Sequence, residues 1–253
     1  MSTLSDELAR RLGISKEAFE ARAAEKKREG ALAARRDAEQ RAATEHLLRA
    51  PRYPGAQPMT LAEARALLAK VPPLPANPAV DGLFDPETFT LPSVQWIDGA
   101  VELDELHLPA GGSNLIVAGA LTVRGTLKQD FRAGGLLVLG DLRARHLVTT
   151  AELACTGDLT VDGVLFGNCT NYATNVWGKA RAQVLISAKE HAFCFWGGHL
   201  AECTVDVEGG APNLGGGQYT GETMHQVLHA DFGDGRDEAQ VAALLRRRDT
   251  ALR

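Results

Sequence analysis

Between about Leu115 and Ser187 the chain alternates apolar and polar residues, and the alternation repeats. LTVRGTL, beginning at Leu121, returns as LTVDGVL at Leu159, an offset of 38 residues. GDLRARHLV, beginning at Gly140, returns as GKARAQVLI at Gly178 with the same offset of 38. Gly119, Gly140, Gly157 and Gly178 are spaced 21, 17 and 21 apart, so one repeat is a pair of units of about 19 residues each. Within the units apolar residues take every second place: Leu121 and Val123, Leu142 and Ala144, Leu159 and Val161, Ala180 and Ala182. Thr122, Arg143, Thr160 and Arg181 stand between them, which is the pattern of a strand with one buried and one wet face. A glycine or a second apolar run (HLV after Arg145, VLI after Gln183) then ends or bends the strand.

A unit this short holds two or three strands and too little apolar area to fold alone. Stacked on copies of itself it makes a continuous core. The pattern therefore predicts a mainly β fold, a parallel β-solenoid (β-helix) of roughly 19-residue coils, each about 4.8 Å above the last. A leucine-rich repeat is rejected, because its asparagine ladder and fuller leucine spacing are absent. In this register Asp158 and Lys179 fall on neighbouring coils and are expected to pair. Arg143 and Arg181 stand two coils apart with Thr160 between them. ELDELHL (102–108) matches DLRARHL (141–147) at an offset of 39, placing His107 and His146 at equivalent positions. Such a pair is either stacked at a coil corner or a proton relay.

The flanks differ from the repeat. Residues 1–50 read as a charged helical arm, with eleven Lys/Arg against nine Asp/Glu and no large apolar stripe. Leu4, Leu8 and Leu12 give a short first helix, Ser15 caps a second run from Lys16 to about Arg49, and Gly30 marks a break. Residues 51–93 read as a proline-rich linker. Within it Thr60-Leu61-Ala62-Glu63 forms a capping box that opens a short helix through Lys70, with Leu61, Ala64, Leu67 and Leu68 on one face. VPPLPANP (71–78) is extended, and a second polar, proline-marked stretch reaches Pro92. The solenoid is expected over 94–210. A Gly-rich loop and a C-terminal capping helix, with Val241, Leu244 and Leu245 inward, fill 211–253 and cover an end or flank.

The segment FGNCTNYATNVWG (166–178) reads as a corner loop whose Tyr172 and Trp177 either cap the core or present an aromatic patch. In SAKEHAFCFWGG (187–198), His191, Phe193, Phe195 and Trp196 read mostly as core. His225 and His229, four apart on a short helix, have metal-competent spacing but read as surface. No metal and no cofactor is expected. GGAPNLGGGQYTGET lacks the Gly-Lys-Ser/Thr signature of a phosphate loop.

Composition narrows the classes. The chain has 253 residues, 45% of them apolar and only 6% aromatic, enough for one principal core with appendages. A net charge of −5 argues against general nucleic-acid binding. No apolar run is long enough for a membrane span, and MSTLSDELARRLG lacks the apolar core of a signal peptide. A cytoplasmic location is therefore expected. Cys155, Cys169, Cys194 and Cys203, in no C-x-x-C pair, then read as reduced core or corner residues.

GDLRARHLV, GDLTVDGVLFGN and GKARAQVLI together resemble the coils of bacterial polymer-forming β-helix proteins related to bactofilins, over roughly residues 97–209. The resemblance implies the β-helix fold and carries no catalytic residues with it. The alternating coil lengths and the two helical flanks depart from that family. Three functions are weighed. The favoured one is a non-catalytic protein-interaction solenoid, including an immunity- or inhibitor-type binder of a bacterial toxin. The runner-up is a self-assembling, bactofilin-like cytoskeletal scaffold. The third is a β-helix enzyme, disfavoured because no nucleophile with base and no acidic cluster recurs at matching coil positions. The partner is a protein or a second copy in a small homo-oligomer, and the candidate partner-binding residues are Arg143, Arg145, Arg181, Tyr172 and Trp177.

Overall fold

The computed structural model describes residues 51–71, 93–211, 214, 217–247, 251 and 252, and scattered positions between 15 and 28. The chain forms two compact units, Met1–Ala50 and Pro51–Arg253. In the first unit the described positions from 17 to 28 are helical and exposed, and Ser15 Oγ accepts the Ala18 N–H at 3.2 Å, the expected cap. The expected first helix, the Gly30 break and VPPLPANP beyond Val71 lie outside the described residues.

The second unit is a parallel β-solenoid of about six coils. One side is a seven-stranded sheet. Its parallel strands are β2 (Ser93–Ile97), β5 (Asn114–Val117), β7 (Leu136–Val138), β9 (Leu153–Cys155), β11 (Ala173–Val176) and β13 (Ala192–Phe195). The other side is an eight-stranded sheet made of β3 (Val101–Leu103), β4 (Leu106–Leu108), β6 (Leu121–Gln129), β8 (Leu142–Thr149), β10 (Leu159–Asn168), β12 (Ala180–Ala188), β14 (His199–Asp206) and the short β15 (Tyr219–Thr220). The repeat sets the register. Leu121 pairs with Leu142, Leu142 with Leu159, and Leu159 with Ala180, so the two 38-residue offsets are steps of two coils. β6 and β10 each carry one extra residue relative to their neighbours, between Val123 and Thr126 and between Val161 and Val164, and there the second sheet bends.

Glycine holds the corner between the sheets. Gly157 N donates to Gly140 O at 2.9 Å, and Gly178 N to Gly157 O at 3.1 Å. A Cβ on Gly119 would stand 2.5 Å from the Gly99 carbonyl carbon, and one on Gly157 would stand 2.6 Å from that of Gly140. Only a residue without a side chain lets the coils stack this closely. Beside this column Asp141 Oδ1 accepts the Asp158 N–H at 2.9 Å, and Asp158 Oδ1 accepts the Lys179 N–H at 2.8 Å. The expected Asp158–Lys179 ion pair is thus replaced by a carboxylate-to-backbone bond, because the carboxylate reaches the nearer amide first.

Leucine and valine fill the interior over most of its length. Towards the last coils the inward positions shrink to Ala180, Ala182 and Ala201. The rings of Phe193 and Phe195, 5.4 Å apart, take up the room. Two outer faces are covered by the chain itself. Residues 56–60, read from sequence as linker, form β1 (Ala56–Thr60), which pairs antiparallel along the whole of β2. The capping box then opens α1 (Leu61–Leu68): Thr60 Oγ1 accepts the Glu63 N–H at 3.2 Å, and the Thr60 N–H donates to Glu63 Oε2 at 2.7 Å. Its Ala64, Leu61, Leu67 and Leu68 pack with Val94, Trp96 and Ile116 on the outside of the first sheet.

The C-terminal segment covers the outer face of the bent second sheet. Two 3-10 turns, Met224–Gln226 and Ala230–Phe232, precede α2 (Glu238–Leu245). Asp237 Oδ1 caps α2 by accepting the N–H groups of Ala239 and Gln240. Val241 and Leu245 are buried and Leu244 is partly buried against Val148, Phe166, Ile186 and Val205. The helix therefore lies on a flank of the solenoid, not across its end.

Candidate interaction surface

The outer columns of the second sheet carry the sequence-predicted cations. Thr122, Arg143, Thr160, Arg181 and Leu200 follow one another on successive coils, so Arg143 and Arg181 do stand two coils apart. The face is of mixed charge. Arg143 Nη2 donates to both carboxylate oxygens of Asp162 at 3.1 Å, and Arg124 is held by Glu102 at 2.6 Å and Asp104 at 3.1 Å. Arg145 and Arg181 are exposed on the same face.

Tyr172 and Trp177 do not share a patch. Residues 166–178 are less a loop than expected, since β10 runs to Asn168 and β11 spans Ala173–Val176. Tyr172 sits at one end of β11, edge-on to Phe131 with ring centroids 6.2 Å apart, and the Arg132 guanidinium lies 5.4 Å over the Phe131 ring. Trp177 sits at the other end, half-buried on the outside of the first sheet with Leu139 and Ala118.

The paired-histidine expectation fails. Leu106 pairs with Leu127 and Leu127 with Leu147, so His107 stands over Lys128, while His146 stands over Thr126. The sequence match slipped by two residues, which alternation cannot detect because it returns every side chain to the same face. His107 Nε2 instead meets Asp130 Oδ2 at 2.8 Å, with Lys128 Nζ 2.6 Å from the other oxygen. The desolvated Asp130 carboxyl is nevertheless held below the usual range by these two hydrogen bonds. His225 and His229 do not share a helical face, because His225 lies in one 3-10 turn and His229 precedes the next with extended backbone.

Buried titratable groups are occupied at a second corner. Burial lowers His191 to about 4, and its ring reaches Thr174 Oγ1 at 3.0 Å and the Cys169 carbonyl at 3.2 Å. Gly167 makes room for that ring. Burial raises Glu152 to about 7 although its carboxylate accepts from the Ala173 N–H and from Asn175 Nδ2, both at 3.1 Å. Gln129 and Thr149 close the same corner with a 2.9 Å bond. The four cysteines are free thiols, and burial pushes Cys155 up to about 12. Among the described residues no three His, Cys, Asp or Glu side chains are grouped as metal ligands, and no helix is long and apolar enough to cross a membrane.

Among the described residues the two most exposed large apolar side chains are on the last coil, and one of them, Trp196, lies in the stretch that reads mostly as core. His191 and Phe193 are buried as expected, but Trp196 is 66% exposed and Leu200 68%. Parity carries the signal that was overlooked. Phe193 and Phe195 share one face of the strand, Trp196 falls on the other, and Leu200 occupies the outward column of Thr160 and Arg181. The far edge of β13 pairs with no strand among the described residues. On β14 only Val205 and Asp206 pair with β15, and the Gln218 side chain accepts the Thr204 N–H. Among the described residues no strand pairs with the outer edge of His199–Glu202, which lies beside a shallow surface depression lined by Arg181, Leu185, Phe195 and Leu200. Ala211 and Leu214 close the core nearer the Asp206 corner, where Asp206 accepts the Ala211 N–H at 2.9 Å.

These features define a parallel β-solenoid protein with two covered flanks and one aromatic, partly open end. No protein-family model, no curated protein and no solved structure matches the chain.

Proposed function

We propose that the protein is a non-catalytic interaction protein, with the solenoid as a rigid platform and the last coil as its contact surface. One observation carries this reading. Trp196 and Leu200 are exposed beside an open strand edge, while apolar residues on both flanks are covered by the chain's own helices. Exposed tryptophan beside unpaired backbone is what partner chains recognise. The buried His191, Glu152 and Cys155 support the non-catalytic part of the reading, since each is engaged in hydrogen bonds at a coil corner. An immunity- or inhibitor-type binder of a bacterial toxin is a finer form of the same proposal, with Arg181 at the rim of the contact and Arg143, Arg145, Tyr172 and Trp177 outside it.

The runner-up is an end-to-end scaffold of the bactofilin kind, favoured by the outer edges of β3 and of His199–Glu202 on β14, which pair with no strand among the described residues. Against it, β1 occupies the first edge of the other sheet. The test is a photo-crosslinking residue at position 196, with position 107 as control, in cells producing the protein. A discrete adduct from position 196 alone is expected. Equal, diffuse labelling from both positions sinks the reading.

A further inference from the structure

Resting on that reading, we propose that the occupant of the last coil is a second copy of this chain, joined end to end through the C-terminal coils in a closed, two-fold dimer. The two ends of the solenoid differ in ways that select this arrangement. At the first coil, β1 takes every residue of β2's free edge, and Pro58 at the centre of β1 has no N–H to offer a further strand. Head-to-tail stacking is therefore blocked on one sheet. The rest of that end carries four exposed acids, Asp98, Glu102, Asp104 and Glu105, and only Arg124, shared between Glu102 and Asp104, offsets them by ion pairing among the described residues. In a two-fold contact each group near the axis faces its own twin, so this acidic end repels a copy of itself.

The last coil has the opposite character. Ala192–Glu202 contains a single carboxylate, Glu202, and no Lys or Arg. Its exposed residues are Trp196, Gly197, Gly198, His199, Leu200 and Glu202, with Phe195 and Ala201 half-buried behind them. With one exposed carboxylate against four at the other end, this largely apolar end meets its twin with far weaker repulsion. Among the described residues no strand takes the outer edge of β13 or of His199–Glu202 on β14, and antiparallel pairing across the axis satisfies the N–H and C=O groups left there. Trp196 and Leu200 are the anchors. Because only this end self-associates, assembly stops at two chains, which separates this inference from the scaffold.

The test is sedimentation and light scattering of the full chain over a wide concentration range. The expected result is a plateau at twice the chain mass of 27.0 kDa. Trp196→Lys with Leu200→Lys should weaken the dimer by at least about 100-fold, with the circular dichroism spectrum unchanged. Glu102→Lys at the other end should leave it intact. If the double variant does not fold, Leu200→Cys replaces it, and a bis-maleimide should then link two chains through position 200. A wild-type chain that stays at 27.0 kDa, a mass that grows without a plateau, or a dimer indifferent to both lysines overturns the proposal. If the wild type is monomeric and position 196 crosslinks to another protein, the dimer falls while the interaction reading stands. If it is monomeric and position 196 crosslinks to nothing discrete, both fall.

Discussion

Two tryptophans on the outside of the same sheet show how differently the two ends of the solenoid are treated. Trp96, on the first coil, is 5% exposed, packed with α1 and β1; Trp196, on the last coil, is 66% exposed. Both arise from the same strand alternation. What separates them is whether the chain returns to cover the face. A solenoid has no natural end, because each coil satisfies only its neighbours. One end has been closed by a strand with a proline at its centre and guarded by acids, and the other left apolar. The difference teaches that exposure here follows from the path of the flanking segments, not from the repeat.

The sharpest way to break this comparison is to truncate both rings. Trp96→Ala should lower unfolding free energy by about 3–5 kcal/mol, and Trp196→Ala by under about 0.5 kcal/mol at concentrations where the chain is monomeric, as read by urea denaturation. Equal losses would mean that the last coil is covered in solution.

Titration of the interior, away from either end, comes next. His191 is lowered from its ordinary 6.5 to about 4, so the unfolded chain binds that proton first and stability falls as pH drops from 6.5 towards 4. Glu152 is raised from 4.5 to about 7, so its contribution is present below 4.5 and is lost as pH rises through 7. Each amounts to on the order of 3 kcal/mol. Between pH 4.5 and 6.5 the two slopes oppose each other. Glu152→Gln should therefore expose the His191 slope, giving a steeper loss of stability on acidification than the wild type shows in denaturation midpoints. An unchanged profile would refute the assignment.

Smaller effects grade the two covers. Thr60→Ala removes the α1 cap and should cost about 1 kcal/mol, loosening the closed end, where faster amide exchange in β1 would register it. Arg143→Ala, on the exposed face between the ends, should change stability by no more than about 0.5 kcal/mol in thermal melts, since its Asp162 pair is solvated on both sides.

Much of this was legible in the chain. The Gly119–Gly178 spacing, the Leu121 and Leu159 repeats and the Thr60–Glu63 box name local events, and local events leave local patterns. The pairing of β1 with β2 left none, because Gln57, Pro58 and Met59 look like linker until the partner strand stands beside them. Tyr172 and Trp177 looked like neighbours, although the strand between them, β11, holds them at its opposite ends. His107 was misplaced by a slip of two residues that parity could not expose.

The sequence by itself determined the solenoid, its coil length, its bends and the face on which each strand residue lies, because alternation and glycine spacing act over a few residues. Only the tertiary structure decided which outward faces are hidden. Val148, Phe166 and Ile186 became core because α2 returned to them, and Trp196 and Leu200 became surface because no described segment covers them. That choice depends on contacts between residues far apart in the chain, whose closure no local pattern encodes.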